Sequence, residues 1–174
     1  ELVPSWPSLP RYWEFGDAAD GAVNSRGEVH IFSRGTHPVT IWAPDGAFIS
    51  SWGYGSFPFP HGISIAPNDD VWVVDINLHN VGVDGRSAGS ISVTGRTTGS
   101  RDSIATAASW TCGTTRPSGV CVQGDLVYAL DNAGRGSRIT VYSTEGDVVS
   151  RFDQTDFGDP GHLKTGHGIC VGHD

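Results

Sequence analysis

Gly62-Ile63-Ser64-Ile65 is a short apolar strand, followed by the polar turn Ala66-Pro67-Asn68-Asp69-Asp70 and a second apolar strand, Val71-Trp72-Val73-Val74. The first strand returns as Gly119-Val120-Cys121-Val122 and Gly168-Ile169-Cys170-Val171, with a weaker earlier copy in Asp20-Gly21-Ala22-Val23. A period of roughly 40 to 50 residues, built from strands rather than helices, is the spacing of a β-propeller blade. The interval between the second and third copies is the longest.

Working outward, each copy continues in the same order. A turn, Ser25-Arg26-Gly27-Glu28 or Gln123-Gly124-Asp125, precedes a β-branched and aromatic run, Val29-His30-Ile31-Phe32 or Leu126-Val127-Tyr128-Ala129-Leu130. Third strands follow at Val39-Thr40-Ile41-Trp42 and Arg138-Ile139-Thr140-Val141-Tyr142. Fourth strands open after Asp45-Gly46 and Glu145-Gly146, and Asp-Gly between apolar strands is a strong hairpin signal. The sequence thus predicts an all-β chain of about three four-stranded blades, at 17–53, 60–94 and 116–153, with the first strand of a fourth at 165–171.

The middle copy departs from this pattern. Beyond Val81 the residues are small and polar, and the stretch from Thr94 to Thr115 is rich in Ser, Thr and Gly. The expectation for 94–115 is a long surface loop, with a functional lid as the alternative.

Composition narrows the function classes. Twenty-four glycines, ten prolines and no methionine in 174 residues, with no helical periodicity, argue against helices. A net charge of −8 offers no basic face for nucleic acid and disfavours anionic membrane surfaces, and no apolar run approaches the ~20 residues of a membrane span. Of the three cysteines, Cys121 and Cys170 occupy equivalent first-strand positions and read as small buried hydrophobes, while Cys112 lies in the weak segment.

Three blades and one strand cannot close a ring, and no terminal cap is visible in the sequence. The expected partners are the remaining blades of a longer six-bladed protein or a second copy of the chain. The stop at Gly172-His173-Asp174, where a second strand should begin, favours the former.

First strands line the channel of a propeller, so residues at one end of them converge. His61, in Phe59-Pro60-His61-Gly62, and His167, in Thr165-Gly166-His167-Gly168, hold the same position in their repeats, with Ser118 between them. The two imidazoles either share a metal such as zinc or satisfy turn hydrogen bonds. Asp75 and Asp131, each closing a second strand, read as carboxylates that bond backbone N–H groups nearby. His79 reads as a loop-packing residue, and His30 and His37 carry no spacing signal.

Phe32-Ser33-Arg34-Gly35-Thr36-His37, the run Phe59-Pro60-His61-Gly62-Ile63-Ser64-Ile65 with Val71-Trp72-Val73-Val74-Asp75-Ile76-Asn77-Leu78-His79-Asn80-Val81, and more loosely Arg116-Pro117-Ser118-Gly119-Val120, Asp131 and Ser137-Arg138-Ile139 resemble the NHL-repeat propellers. The most similar among these are the peptidyl-α-hydroxyglycine α-amidating lyases and their bacterial relatives. The resemblance covers most of 15–174 except 82–115. It implies a six-bladed propeller in which channel histidines hold zinc and the products are a peptide amide and glyoxylate. On this resemblance His61 and His167 fall on two zinc histidines, a third lies beyond Asp174, and Arg34 falls on an arginine that serves the substrate.

The family's tyrosine falls on Ala133, in a segment one residue longer than the pattern. Zinc would polarise the substrate hydroxyl or carboxylate, and Arg34 would neutralise developing negative charge. The alternative for Arg34 is a solvated or Asp75-paired surface arginine. The alternative function is a non-catalytic propeller that binds a protein, peptide or glycan on its loop face.

Overall fold

The computed structural model describes residues 5–81, 87–94, 106–114, 116–132, 136–153 and 165–172. Every regular element among them is a β-strand. The first sheet contains β1 (Asp17–Val23), β2 (Val29–Arg34), β3 (Val39–Trp42) and β4 (Phe48–Trp52). The middle sheet contains β5 (Pro60–Ile65), β6 (Val71–Val81), β7 (Ser87–Thr94) and β8 (Thr106–Thr114). The third contains β9 (Pro117–Gln123), β10 (Leu126–Asn132), β11 (Ser137–Ser143) and β12 (Val148–Phe152). Each sheet is antiparallel with neighbours in chain order.

Strand β8 corrects the expectation of a long loop over 94–115 and extends the middle sheet beyond the expected end at 94. The ladder pairs Trp72 with Val93, Val73 with Ser92 and Val74 with Ile91, and then Ile91 with Trp110. Ladder bonds are made by backbone groups, so a strand in an interior register forms even where its side chains are small and polar. The strand expected at 165–171 forms no ladder among the described residues.

The middle sheet is buried on both faces along Val71 to Ile76 of β6, and its alternation sorts the side chains. Val71 and Val73 pack with Phe32 and Val39 of the first sheet, while Trp72 and Val74 pack with Val120, Val122, Val127, Ala129 and Tyr142 of the third. Two buried faces explain why the segment reads as a continuous apolar run. Each such side chain stabilises the fold by about 1.5–3 kcal/mol.

Strand β1 lies against β5, and β5 against β9. The repeated glycine eases this close approach. A Cβ on Gly62 would come within 3.3 Å of the Gly119 Cα, and one on Gly119 within 3.4 Å of the Ile169 backbone nitrogen. Side chains bridge where ladders do not. Asp20 Oδ2 accepts from Ile63 N–H at 3.0 Å, and Ser64 Oγ accepts from Val122 N–H at 3.1 Å.

Residues 5–16 form an arm over the first sheet, a cover the sequence reading did not foresee. Trp13 stacks on His37 at 3.5 Å between centroids and meets Phe48 edge-on at 4.9 Å, and Phe15 lies against Trp42. Ser8 N–H donates to Gly46 C=O at 2.9 Å, and Trp6 Nε1–H to Pro44 C=O. His37, silent in the sequence, is thus a packing residue beneath the arm.

His30 on β2 is buried, and neither ring nitrogen has a hydrogen-bond partner. Burial lowers its pKa to about 4, against the nearby Glu28 carboxylate. Close by, Asp69 crosses from the β5–β6 turn to accept from Ser25 N–H and Oγ–H and to pair with Arg26.

Candidate functional site

One irregularity recurs at the same point of all three sheets. The β1–β2 register skips between Ala18 and Asp20, β5–β6 skips between Pro60 and Gly62, and β9–β10 pairs Pro117 with Asp131 and then Gly119 with Leu130. The residues left out of the ladder are Ala19, His61 and Ser118. A bulge frees one residue from pairing and re-aims its side chain. His61 therefore stands on a backbone feature built into each repeat, and His167 follows it by sequence equivalence.

The bulges lead to a cavity of about 450 Å³. Apart from Gly136, its lining falls on three repeat positions. Arg34, Ile76 and Asn132 stand one residue past Ser33, Asp75 and Asp131, whose partners Ala18, Pro60 and Pro117 immediately precede the bulged residues. Phe59, Arg116 and Thr165 stand two residues before the bulge position. His61 and His167 occupy that position itself. Arg34, His61 and His167, all singled out in the sequence, thus line one cavity.

The two imidazoles lie 5.5 Å apart between centroids with an interplanar angle of 28°. His61 Nδ1 is 2.6 Å from Ser118 C=O. A carbonyl can only accept, so Nδ1 carries the proton and the Nε2 lone pair is left free, the arrangement typical of a metal-bound histidine. Burial lowers the His61 pKa below its ordinary value, opposed by the Ser118 carbonyl and reinforced by the nearby His167 and Arg34. Lowering favours the neutral, ligating form.

Two imidazoles on one tetrahedral zinc, with Zn–N of about 2.0–2.1 Å, set their centroids about 5 Å apart. The observed centroid separation of 5.5 Å is close to that value. Among the described residues no third His, Cys, Asp or Glu completes a group of three.

His167 is positioned through the residue before it. Gly166 C=O accepts from Ser118 Oγ–H at 2.8 Å and from Asn132 Nδ2–H at 3.0 Å, and Gly166 N–H donates to Ser137 Oγ at 2.7 Å and Asn132 Oδ1 at 3.1 Å. Ser118, Asn132 and Ser137 are thus site residues that sequence reasoning missed. The serine that interrupts the histidine pattern was the available signal. Its carbonyl orients His61, and its hydroxyl fixes the segment carrying His167.

Arg34 is an exposed surface arginine, and its contacts are with Phe59, Pro60 and Asp17 rather than with Asp75. Its guanidinium lies 4.2 Å over the Phe59 ring, its Nε–H donates to Pro60 C=O at 3.2 Å, and Nη1 is 4.0 Å from Asp17. Asp75 and Asp131 bond backbone as expected. Asp75 accepts from Phe59 and Asn77 N–H groups at 2.7 Å each, and Asp131 accepts from Arg116 N–H at 2.7 Å and pairs with Arg138 at 3.0 Å. Cys121 is half-buried and Cys170 exposed, so neither is the buried hydrophobe that its first-strand position suggested. Ala133 and the side chains of His79 and Cys112 lie outside the described residues.

No protein-family profile matches the chain, and no curated protein matches it either.

Proposed function

We propose that the three sheets are blades of a β-propeller of the NHL type, and that the cavity at their bulged ends holds a divalent metal through His61 and His167 and acts on a peptidyl α-hydroxy carboxylate, in the manner of the amidating lyases the sequence resembles. The observation that carries this reading is the His61 Nδ1 contact with Ser118 C=O, which leaves Nε2 free with the His167 ring 5.5 Å away.

A bound zinc would supply polarisation of a substrate hydroxyl or carboxylate. Stacking on Phe59 and the Nε–H bond to Pro60 C=O hold the Arg34 fork at the cavity wall, where its remaining N–H groups can receive developing negative charge. Phe59 and Ile76 form an apolar wall that excludes water from one side of a bound ligand.

The experiment is equilibrium dialysis against zinc, with metal content measured for the wild type, His61→Ala and His167→Ala, each checked for β-structure by circular dichroism. Weak retention by the wild type and release from both variants is expected, because two protein donors meet there among the described residues. Equal metal content in all three proteins overturns the metal centre.

A specific observation favours a second reading, in which the cavity binds without turnover. Its described lining includes no carboxylate or phenol to take the hydroxyl proton. An assay for glyoxylate released from a peptidyl-α-hydroxyglycine separates the two. Release establishes the lyase, and metal binding without release leaves a binding module.

A further inference from the structure

The same backbone clamp presents a different side chain in each of two sheets. Phe59 donates its N–H to Asp75 Oδ2 at 2.7 Å and accepts from Ile76 N–H at 3.2 Å. Arg116 donates its N–H to Asp131 Oδ1 at 2.7 Å and accepts from Asn132 N–H at 3.1 Å. Both carboxylates are fully buried, so both presenting positions are fixed by charge-assisted bonds shielded from water.

The products of the clamp differ in chemistry. In the middle sheet the Arg34 guanidinium lies on one face of the presented ring, and the residue is otherwise exposed. In the third sheet the presented group is itself a cation, exposed at the cavity wall, and it makes no ion pair with the described residues. Two arginines meet around the cavity beside two imidazoles, and among the described residues no aspartate or glutamate lines it, although the chain as a whole carries a charge of −8. Guanidinium groups on such a wall, opposite in sign to the molecule, favour an anion. A planar guanidinium fork matches a carboxylate bidentately, and the Phe59 and Ile76 wall suits an acyl group.

We propose that Arg116 binds the free carboxylate of the cavity's ligand, and that it thereby selects N-acylglycine-type acids over the corresponding amides. This rests on the reading of the cavity as a ligand site given above, but not on the metal. The ligand spans the cavity with its acyl group toward Phe59 and Ile76 and its carboxylate toward the third sheet.

The test uses the 174-residue chain and two probes that lack the α-hydroxyl and cannot turn over, hippurate and hippuramide. Affinities are measured by calorimetry with and without zinc, for the wild type, Arg116→Gln and Arg116→Lys, beside the zinc content of each protein. The wild type is expected to prefer hippurate over hippuramide by about ten- to a hundredfold, the scale of one charge-assisted contact. Arg116→Gln should lose that preference with its zinc content and melting temperature unchanged, and Arg116→Lys should keep part of it.

An undiminished preference in Arg116→Gln, no preference in the wild type, or tighter binding of inorganic phosphate than of hippurate each overturns the proposal. If His61→Ala and His167→Ala match the wild type in zinc content while hippurate selection still depends on Arg116, the metal reading fails and this one stands.

Discussion

The two outer sheets carry nearly the same strand pattern and meet different surroundings. In the first sheet the outer hairpin lies beneath the arm of residues 5–16, so Trp42 is fully buried and Phe48 half-buried. In the third, Tyr142 is also buried, but Val148, Val149 and Phe152 of β12 stay exposed. Burial of an outer strand is thus set by what crosses it as much as by its own residues. The third sheet, which no arm crosses among the described residues, keeps exposed apolar side chains on its outer strand.

Removing the arm should erase the difference. A chain beginning at residue 17 loses the Trp13, Phe15 and Trp6 contacts at once. The expected cost is about 3–5 kcal/mol, the scale of losing one large aromatic from a core, read from the midpoint of urea unfolding. No change in midpoint would show that the arm does not stabilise the first sheet.

Acid should weaken the first sheet by a route the other two lack, since Trp72 and Tyr128 take the place of His30 there. His30 titrates at about 4 when folded and near its ordinary value of 6.5 when unfolded. The unfolded chain therefore binds the proton more readily. The stabilisation is present above pH 6.5, falls as pH drops through about 4, and amounts to roughly 3 kcal/mol in full. Urea midpoints between pH 7 and 4 should fall for the wild type and fall less for His30→Leu.

Trp13→Ala alone should cost about 2 kcal/mol, because its ring is only half-buried. Phe152→Ser, on the uncovered sheet, should change stability by less than about 0.5 kcal/mol. The same variant should reduce self-association in sedimentation velocity, because the exposed β12 face is the surface available for a second copy or further blades. Equal stability losses at Trp13 and Phe152 would abolish the contrast between the two ends.

The apolar strands were legible because their signals are local. Val71-Trp72-Val73-Val74 alternates between two buried faces, and Asp45-Gly46 marks a hairpin within four residues. Strand β8 was hidden because its pairing draws on backbone groups that every residue possesses. The arm was hidden because Trp13 and Phe15 pack against residues about thirty positions away, without periodicity. In the site, the pairing of His61 with His167 followed from repeat position. The work of Ser118 and Asn132 did not, because it depends on which carbonyl ends up facing which donor. Arg116 looked like a loose match and became notable only when its clamp proved the same as that of Phe59.

The recurring bulge bears on how one repeat position can serve different ends. Ala19, His61 and Ser118 are excused from ladder pairing, so the occupant of this position is not dictated by strand register. Surroundings decide instead: Ser118 is buried and tied through its hydroxyl to Gly166 C=O, whereas His61 opens on the cavity. One backbone device thus serves as a structural tie in one repeat and as a cavity-lining position in another.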